Sequence, residues 1–250
     1  MKKDIVVEVC VDSIQSAIAA QNGGANRLEL CDNLGAGGIT PSAASIELTR
    51  RYTDIDINVI IRPRPGDFCY TKLAFEVMKR DAEIAKEMGI NGIVVGILTP
   101  DGEVDTERMK EIIEIARPLS VTFHRAFDMA RDPLKALNTL IDLKVDRILT
   151  SGQKKSAVEG LGLLGELVKE AKEKIIIMPG GGINPENVDK ILSISGIKEL
   201  HLSGKKRVES MMRYRNESVS MGGNKESSEY ENYYTDENVI RLLRNKCDLL

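Results

Sequence analysis

Residues 5–10 read Ile5-Val6-Val7-Glu8-Val9-Cys10, and residues 27–31 read Arg27-Leu28-Glu29-Leu30-Cys31. Each run is short, dominated by apolar residues, and places a glutamate two positions before a cysteine. Alternate side chains of an extended chain face opposite ways. The first run therefore divides into an apolar face (Ile5, Val7, Val9) and a face with Val6, Glu8 and Cys10. The second divides into Leu28 and Leu30 against Arg27, Glu29 and Cys31. Strands with one face under helices and the other lining a closed interior call for this division.

Six more runs have the same character: 58–62, 92–97, 120–124, 146–150, 174–178 and 198–202. Between them, apolar residues recur at helical spacing over 13–22, 41–51, 72–88, 105–117, 132–143, 155–172 and 185–194. Thr40-Pro41, Asp132-Pro133 and Asn184-Pro185 supply helix starts with proline at the first helical position. Gly24-Ala25-Asn26, Gly89-Ile90-Asn91, Lys144-Val145-Asp146 and Gly196-Ile197-Lys198 repeat one pattern of helix stop, apolar residue and polar residue before the next strand. Eight βα units in 250 residues predict one α/β domain over 1–250, a (β/α)8 barrel. An open doubly wound sheet competes, but polar strand ends spread along the whole chain favour the barrel. The Ser-, Asn-, Glu- and Gly-rich stretch 205–234 is expected to be a long loop before a final helix at roughly 236–246.

With 42% hydrophobic residues the chain can bury a full core, and a net charge of −3 gives no electrostatic surface for nucleic acid. No segment has the length of a signal h-region or membrane span, so the expected location is cytoplasmic, with no membrane or nucleic-acid partner. The four cysteines, Cys10, Cys31, Cys69 and Cys247, lack CxxC spacing and are expected to remain thiols.

Extending the alternation to the third, fifth and eighth runs sends Glu8, Cys10, Glu29, Cys31, Arg62, Ser120, Thr122, His124, Glu199, His201 and Ser203 inward from five strands, mostly at their C-terminal ends. That is the face where barrels of this kind hold their sites. Such a ring could be a structural ion-pair network, yet both histidines of the chain fall in it, which favours a functional pocket. Glu8, Glu29, His124, Asp128 and His201 are the acid–base candidates. Arg62, Arg64 and Asp67 on a proline-stiffened turn, Arg125 and Ser151, and Gly181, Gly182 and Ser203 after the last two strands are the candidates for holding a small anionic substrate. Cys10 and Cys31 end neighbouring strands about 4.8 Å apart. They could share a soft metal ion, two thiolates suiting Cu(I), or be small core residues.

The segments EVCVDS (8–13), GGANRLELC (23–31), GGITPS (37–42), IRPRPGDFCY (61–70), TFHRAFD (122–128), ILTSG (148–152) and ELHLSG (199–204) together resemble the CutC family of copper homeostasis proteins, from about residue 4 to the C-terminus. The resemblance implies a (β/α)8 barrel, a cytoplasmic location, a homo-oligomer (dimer or tetramer) and a role in copper tolerance, with Cys10 and Cys31 as Cu(I) ligands. The mouth carries more acid–base and anion-binding groups than a copper carrier needs. A barrel enzyme, a lyase, isomerase or hydrolase acting on a small anionic or sugar-like compound, is therefore the alternative.

Overall fold

The structure is a computed structural model that describes residues 5–219 and 228–249. All eight expected strands form: β1 (Val6–Val11), β2 (Arg27–Leu30), β3 (Asp56–Ile60), β4 (Gly92–Val95), β5 (Ser120–Phe123), β6 (Arg147–Thr150), β7 (Ile176–Pro179) and β8 (Glu199–Leu202). They run in parallel in the order β7-β6-β5-β4-β3-β2-β1-β8. A parallel bridge from Gly180 to His201 joins the two ends, so the sheet closes into the (β/α)8 barrel.

The helices follow the expected apolar periodicity: α1 (Ile14–Asn22), α2 (Ala43–Tyr52), α3 (Lys72–Glu87), α4 (Thr106–Ala116), α5 (Pro133–Asp142), α6 (Leu161–Ala171), α7 (Val188–Leu192) and α8 (Glu237–Asp248). Asp132 caps α5 with Pro133 in its first turn, as the sequence suggests. Pro41 instead precedes the N-cap of α2, because the Ser42 hydroxyl accepts from Ser45 N–H. Asn184 spends its side chain on the N–H groups of Glu186 and Asn187, a local turn that delays α7 to Val188.

Strand side chains divide as the alternation requires. Val7, Val9, Leu28, Val59, Val121, Phe123 and Leu200 are buried against the helical layer. The opposite faces fill the barrel with charge. Glu8 is level with Arg27 on one side and His201 on the other. Its carboxylate accepts from Arg27 Nε at 2.5 Å, His201 Nδ1 at 2.8 Å and Asn58 Nδ2 at 3.3 Å. Arg27 also reaches Glu199, which accepts from Arg147 Nε at 3.0 Å, while Arg147 Nη1 donates to Ser120 and Thr122. Glu8, Arg27, Glu199 and Arg147 thus alternate in sign, all four buried.

Where a long loop is expected over 205–234, two strands form: β9 (Lys205–Glu209) pairs antiparallel with β10 (Glu231–Thr235). Tyr233, Tyr234 and Thr235 favour extended backbone, and Arg207 pairs with Glu231 across the ladder. Residues 220–227 between these strands lie outside the described residues. Among the described residues no helix is long and apolar enough to cross a membrane.

Removing Glu199 leaves Arg27 and Arg147 facing each other without their shared anion. Glu199→Gln is expected to lower unfolding free energy by about 3 kcal/mol in urea titrations, the scale of a broken buried ion pair. A loss within the error of the titration would show that the chain of charges is not held together through this carboxylate.

Candidate functional site

A cavity of about 260 Å³ opens at the C-terminal ends of the strands. Its floor is Cys10, Glu29 and His201, its β3–β5 wall is Ile60, Arg62, Phe68 and His124, and its other side carries Arg125, Gly181, Gly182, Ser203 and Lys205. Nine of the fifteen candidate residues line this cavity: Cys10, Glu29, Arg62, His124, Arg125, Gly181, Gly182, His201 and Ser203. Ligand atoms of Cys10, Glu29 and His201 lie within 4.8 Å of one another, all buried.

Electrostatics differ sharply among these groups. Burial opposes the Glu8 charge, but the Arg27 guanidinium and His201 outweigh it and hold the carboxyl well below the usual range. Glu29 lacks such a partner: burial, reinforced by the Glu8 carboxylate, pushes it up to about 7 despite His201 nearby. Its Oε2 is 3.6 Å from His201 Nε2, and its Oε1 is buried without a hydrogen bond. Burial also disfavours charging His201, yet Cys10, Glu29 and Glu8 surround the ring and hold its pKa well above normal. Floor and base are thus a carboxyl that exchanges its proton near neutrality beside an imidazole fixed by Glu8.

His124 is the opposite case. Its Nδ1 accepts from Ala126 N–H at 3.1 Å, which leaves the proton of the neutral ring on Nε2, buried and without a partner. Burial and the positive Arg62 bring its pKa down to about 3. The acid–base candidate is therefore a neutral hydrogen-bond donor. Gly96 makes room for it, since a Cβ there would lie 2.5 Å from His124 Cε1. Gly96 and Asn58 belong to the site's support and carry no motif that marks them in the sequence.

Arg62 is 5% exposed and, among the described residues, has no carboxylate at ion-pair distance. Arg64, two residues on, bonds the carbonyls of Pro65, Asp67 and Cys69 and the Asp67 carboxylate at 2.8 Å. Arg64 and Asp67 stitch their own exposed turn and do not line the cavity, because Pro63 carries the chain out of the strand's alternation. Asp128 is saturated: Arg125 Nε, Thr150 Oγ1, Ser151 N and Oγ, and Gln153 N all donate to it. With Ser151, whose hydroxyl accepts from Arg125 Nη2 at 2.8 Å, it positions Arg125 at the mouth.

The two cysteines are not level. Cys10 pairs in register with Glu29, and Cys31 N–H bonds Val11 O, one step beyond the end of β1 pairing. Strand stagger, inherent in closing a barrel, lifts Cys31 above Cys10. Cys31 packs with Ile60, Val94 and Leu34, its thiol 3.4 Å from Val11 O, and burial pushes its pKa far up.

The mouth geometry sets a pH dependence. The native His124 pKa lies below its ordinary 6.5, so the unfolded chain takes up a proton that the native chain refuses. This contribution to stability is intact above about 6.5 and fades as pH falls toward about 3. His124→Asn retains an acceptor for Ala126 N–H and does not titrate. Over that window the wild type should lose stability relative to the variant; parallel stability curves would contradict the assignment.

The CutC family model matches residues 5–206. A CutC family protein of Parabacteroides distasonis is 50% identical over 237 residues, covering 94% of this chain and 98% of that protein. The human copper homeostasis protein cutC homolog is 48% identical, covering 95% and 87%. The CutC structure from Streptococcus agalactiae superposes with a TM-score of 0.76 at 33% identity, covering 80% of this chain and 98% of that one. The chain belongs to the CutC family.

Proposed function

We propose that the barrel mouth binds a small organic anion and performs acid–base chemistry on it, as a lyase, isomerase or hydrolase. The observation that carries this is Arg62, a buried guanidinium in the cavity wall with no carboxylate partner among the described residues. Buried charges require compensation, and Arg125 and Lys205 add to the positive character of the mouth. Glu29 and His201 supply the exchangeable protons, Glu8 holds His201 in orientation, and Asp128 positions Arg125. In a thermal-shift screen of anionic and sugar-like metabolites, a stabilising ligand is expected whose effect vanishes in Arg62→Ala. Absence of any hit across such a library would overturn the proposal.

A copper role is favoured by a separate observation, the convergence of Cys10, Glu29 and His201, and by the copper homeostasis name of the human relative. His201 Nδ1–H donates to Glu8, the outer-shell bond typical of a metal-ligating histidine, so its Nε2 suits Cu(I) together with the Cys10 thiolate. Cys31 stands higher, as a second thiol. In this role Cu(I) is cargo, and the four unpaired thiols suit a reducing cytoplasm. Stoichiometric Cu(I) binding under reducing conditions should be lost in Cys10→Ser and weakened in Cys31→Ser; undiminished binding in the double variant would exclude these ligands.

A further inference from the structure

The Arg62 guanidinium is tied off on all but one edge. Nη1 donates to the carbonyls of Ala36 at 3.1 Å and Gly38 at 2.8 Å, and Nη2 donates to Gly66 at 2.8 Å. Both Nη1 hydrogens and one on Nη2 are therefore spent. Nε–H remains buried and without a hydrogen bond, as does the neighbouring Tyr70 hydroxyl, and the second Nη2 hydrogen is also left over. A guanidinium edge of Nε–H and Nη2–H has the geometry to hold the two oxygens of a planar carboxylate side-on.

His124 supplies a third donor. Its Nδ1 is occupied by Ala126 N–H and its Nε2–H is buried and unpartnered. The residue is 4% exposed. Phe68 joins the two residues: its ring centroid is 5.0 Å from Arg62 Cζ and 5.0 Å from the His124 ring centroid. Two orphaned donors on neighbouring side chains of one cavity would each cost about 1–3 kcal/mol if nothing ever met them. An incoming oxyanion removes that cost.

We propose that the free edge of Arg62 and the Nε2–H of His124 form a subsite for the carboxylate of a small organic acid, whose remaining atoms occupy the same cavity above Cys10, Glu29 and His201. This deepens the anion-binding function proposed above and rests on it. One planar edge and one neutral donor match a carboxylate monoanion. A tetrahedral phosphate dianion requires more charge and more donors than this wall offers. The size of the cavity restricts the acid to a short chain, well below a nucleotide.

Calorimetric titration of the full chain with oxalate, pyruvate and inorganic phosphate at matched ionic strength tests this. Saturable binding is expected for at least one of the two organic acids, about tenfold tighter than for phosphate. His124→Asn keeps the acceptor for Ala126 N–H but loses the far donor, and Arg62→Lys keeps the charge but loses the edge. Each should weaken the binding by about tenfold, the scale of a hydrogen bond to a charged group. Circular dichroism and cooperative unfolding report whether the variants fold; if Arg62→Lys does not, His124→Asn decides alone. Phosphate binding as tightly as the organic acids, or organic-acid binding undiminished in folded His124→Asn, overturns the carboxylate subsite and leaves the anion reading standing. No binding of any of the three overturns both.

Discussion

Glu8 has no exposed surface and accepts from Arg27, Asn58 and His201 at once. A carboxylate in that position is tolerable only if ionised and fully bonded. Its two strand neighbours in register, Arg27 on β2 and His201 on β8, therefore fix how β1 sits in the wall. A slip of one residue would turn the glutamate outward into the helical layer and leave Arg27 and His201 unpaired. The apolar faces specify that there is a barrel; the interior charges specify its register.

The same interaction divides the interior into two functional levels. Below, Glu8 and Glu199 balance Arg27 and Arg147 through direct hydrogen bonds. Above, compensation stops. Glu29 has an unbonded oxygen, His124 an unbonded N–H, and Arg62 an unbonded N–H and no anion. Orphaned groups are rare in a finished core; of the six buried side-chain atoms without a hydrogen bond among the described residues, these three line one cavity, and the others belong to Thr49, Asn58 and Tyr70. Their clustering at the C-terminal end of the strands is what the proposed anion would complete.

Much of this was legible from a period of two residues. Alternation alone assigned Glu8, Cys10, Glu29, Arg62, His124 and His201 to the interior, because it depends only on backbone pleat. Partners were not legible. Asp128 follows a histidine and an arginine in a promising motif, yet its oxygens are consumed largely by the end of β6 and the loop after it, a contact 22 or more residues away in sequence. Arg64 looks equivalent to Arg62 until the turn at Pro63 takes it outside. Cys10 and Cys31 end equivalent motifs, but equivalence in sequence is not equality of height when strands are staggered. The hairpin of β9 and β10 was hidden for a different reason: its polar composition reads as loop, and its pairing lies across a long connection.

The two roles proposed for the floor differ by one proton. Protonated His201, held so by Glu8, Glu29 and Cys10, is a cation that adds to Arg62 and Arg125 in attracting an anion. Deprotonated at Nε2, it is instead a ligand beside the Cys10 sulfur, and binding a metal there requires release of that proton. An anion and a metal ion therefore favour opposite protonation states of the same imidazole. By linkage, each ligand lowers the affinity for the other unless the anion itself coordinates the metal. Glu8, bonded to Nδ1 and not to Nε2, holds the ring in place without competing for the nitrogen that faces either ligand.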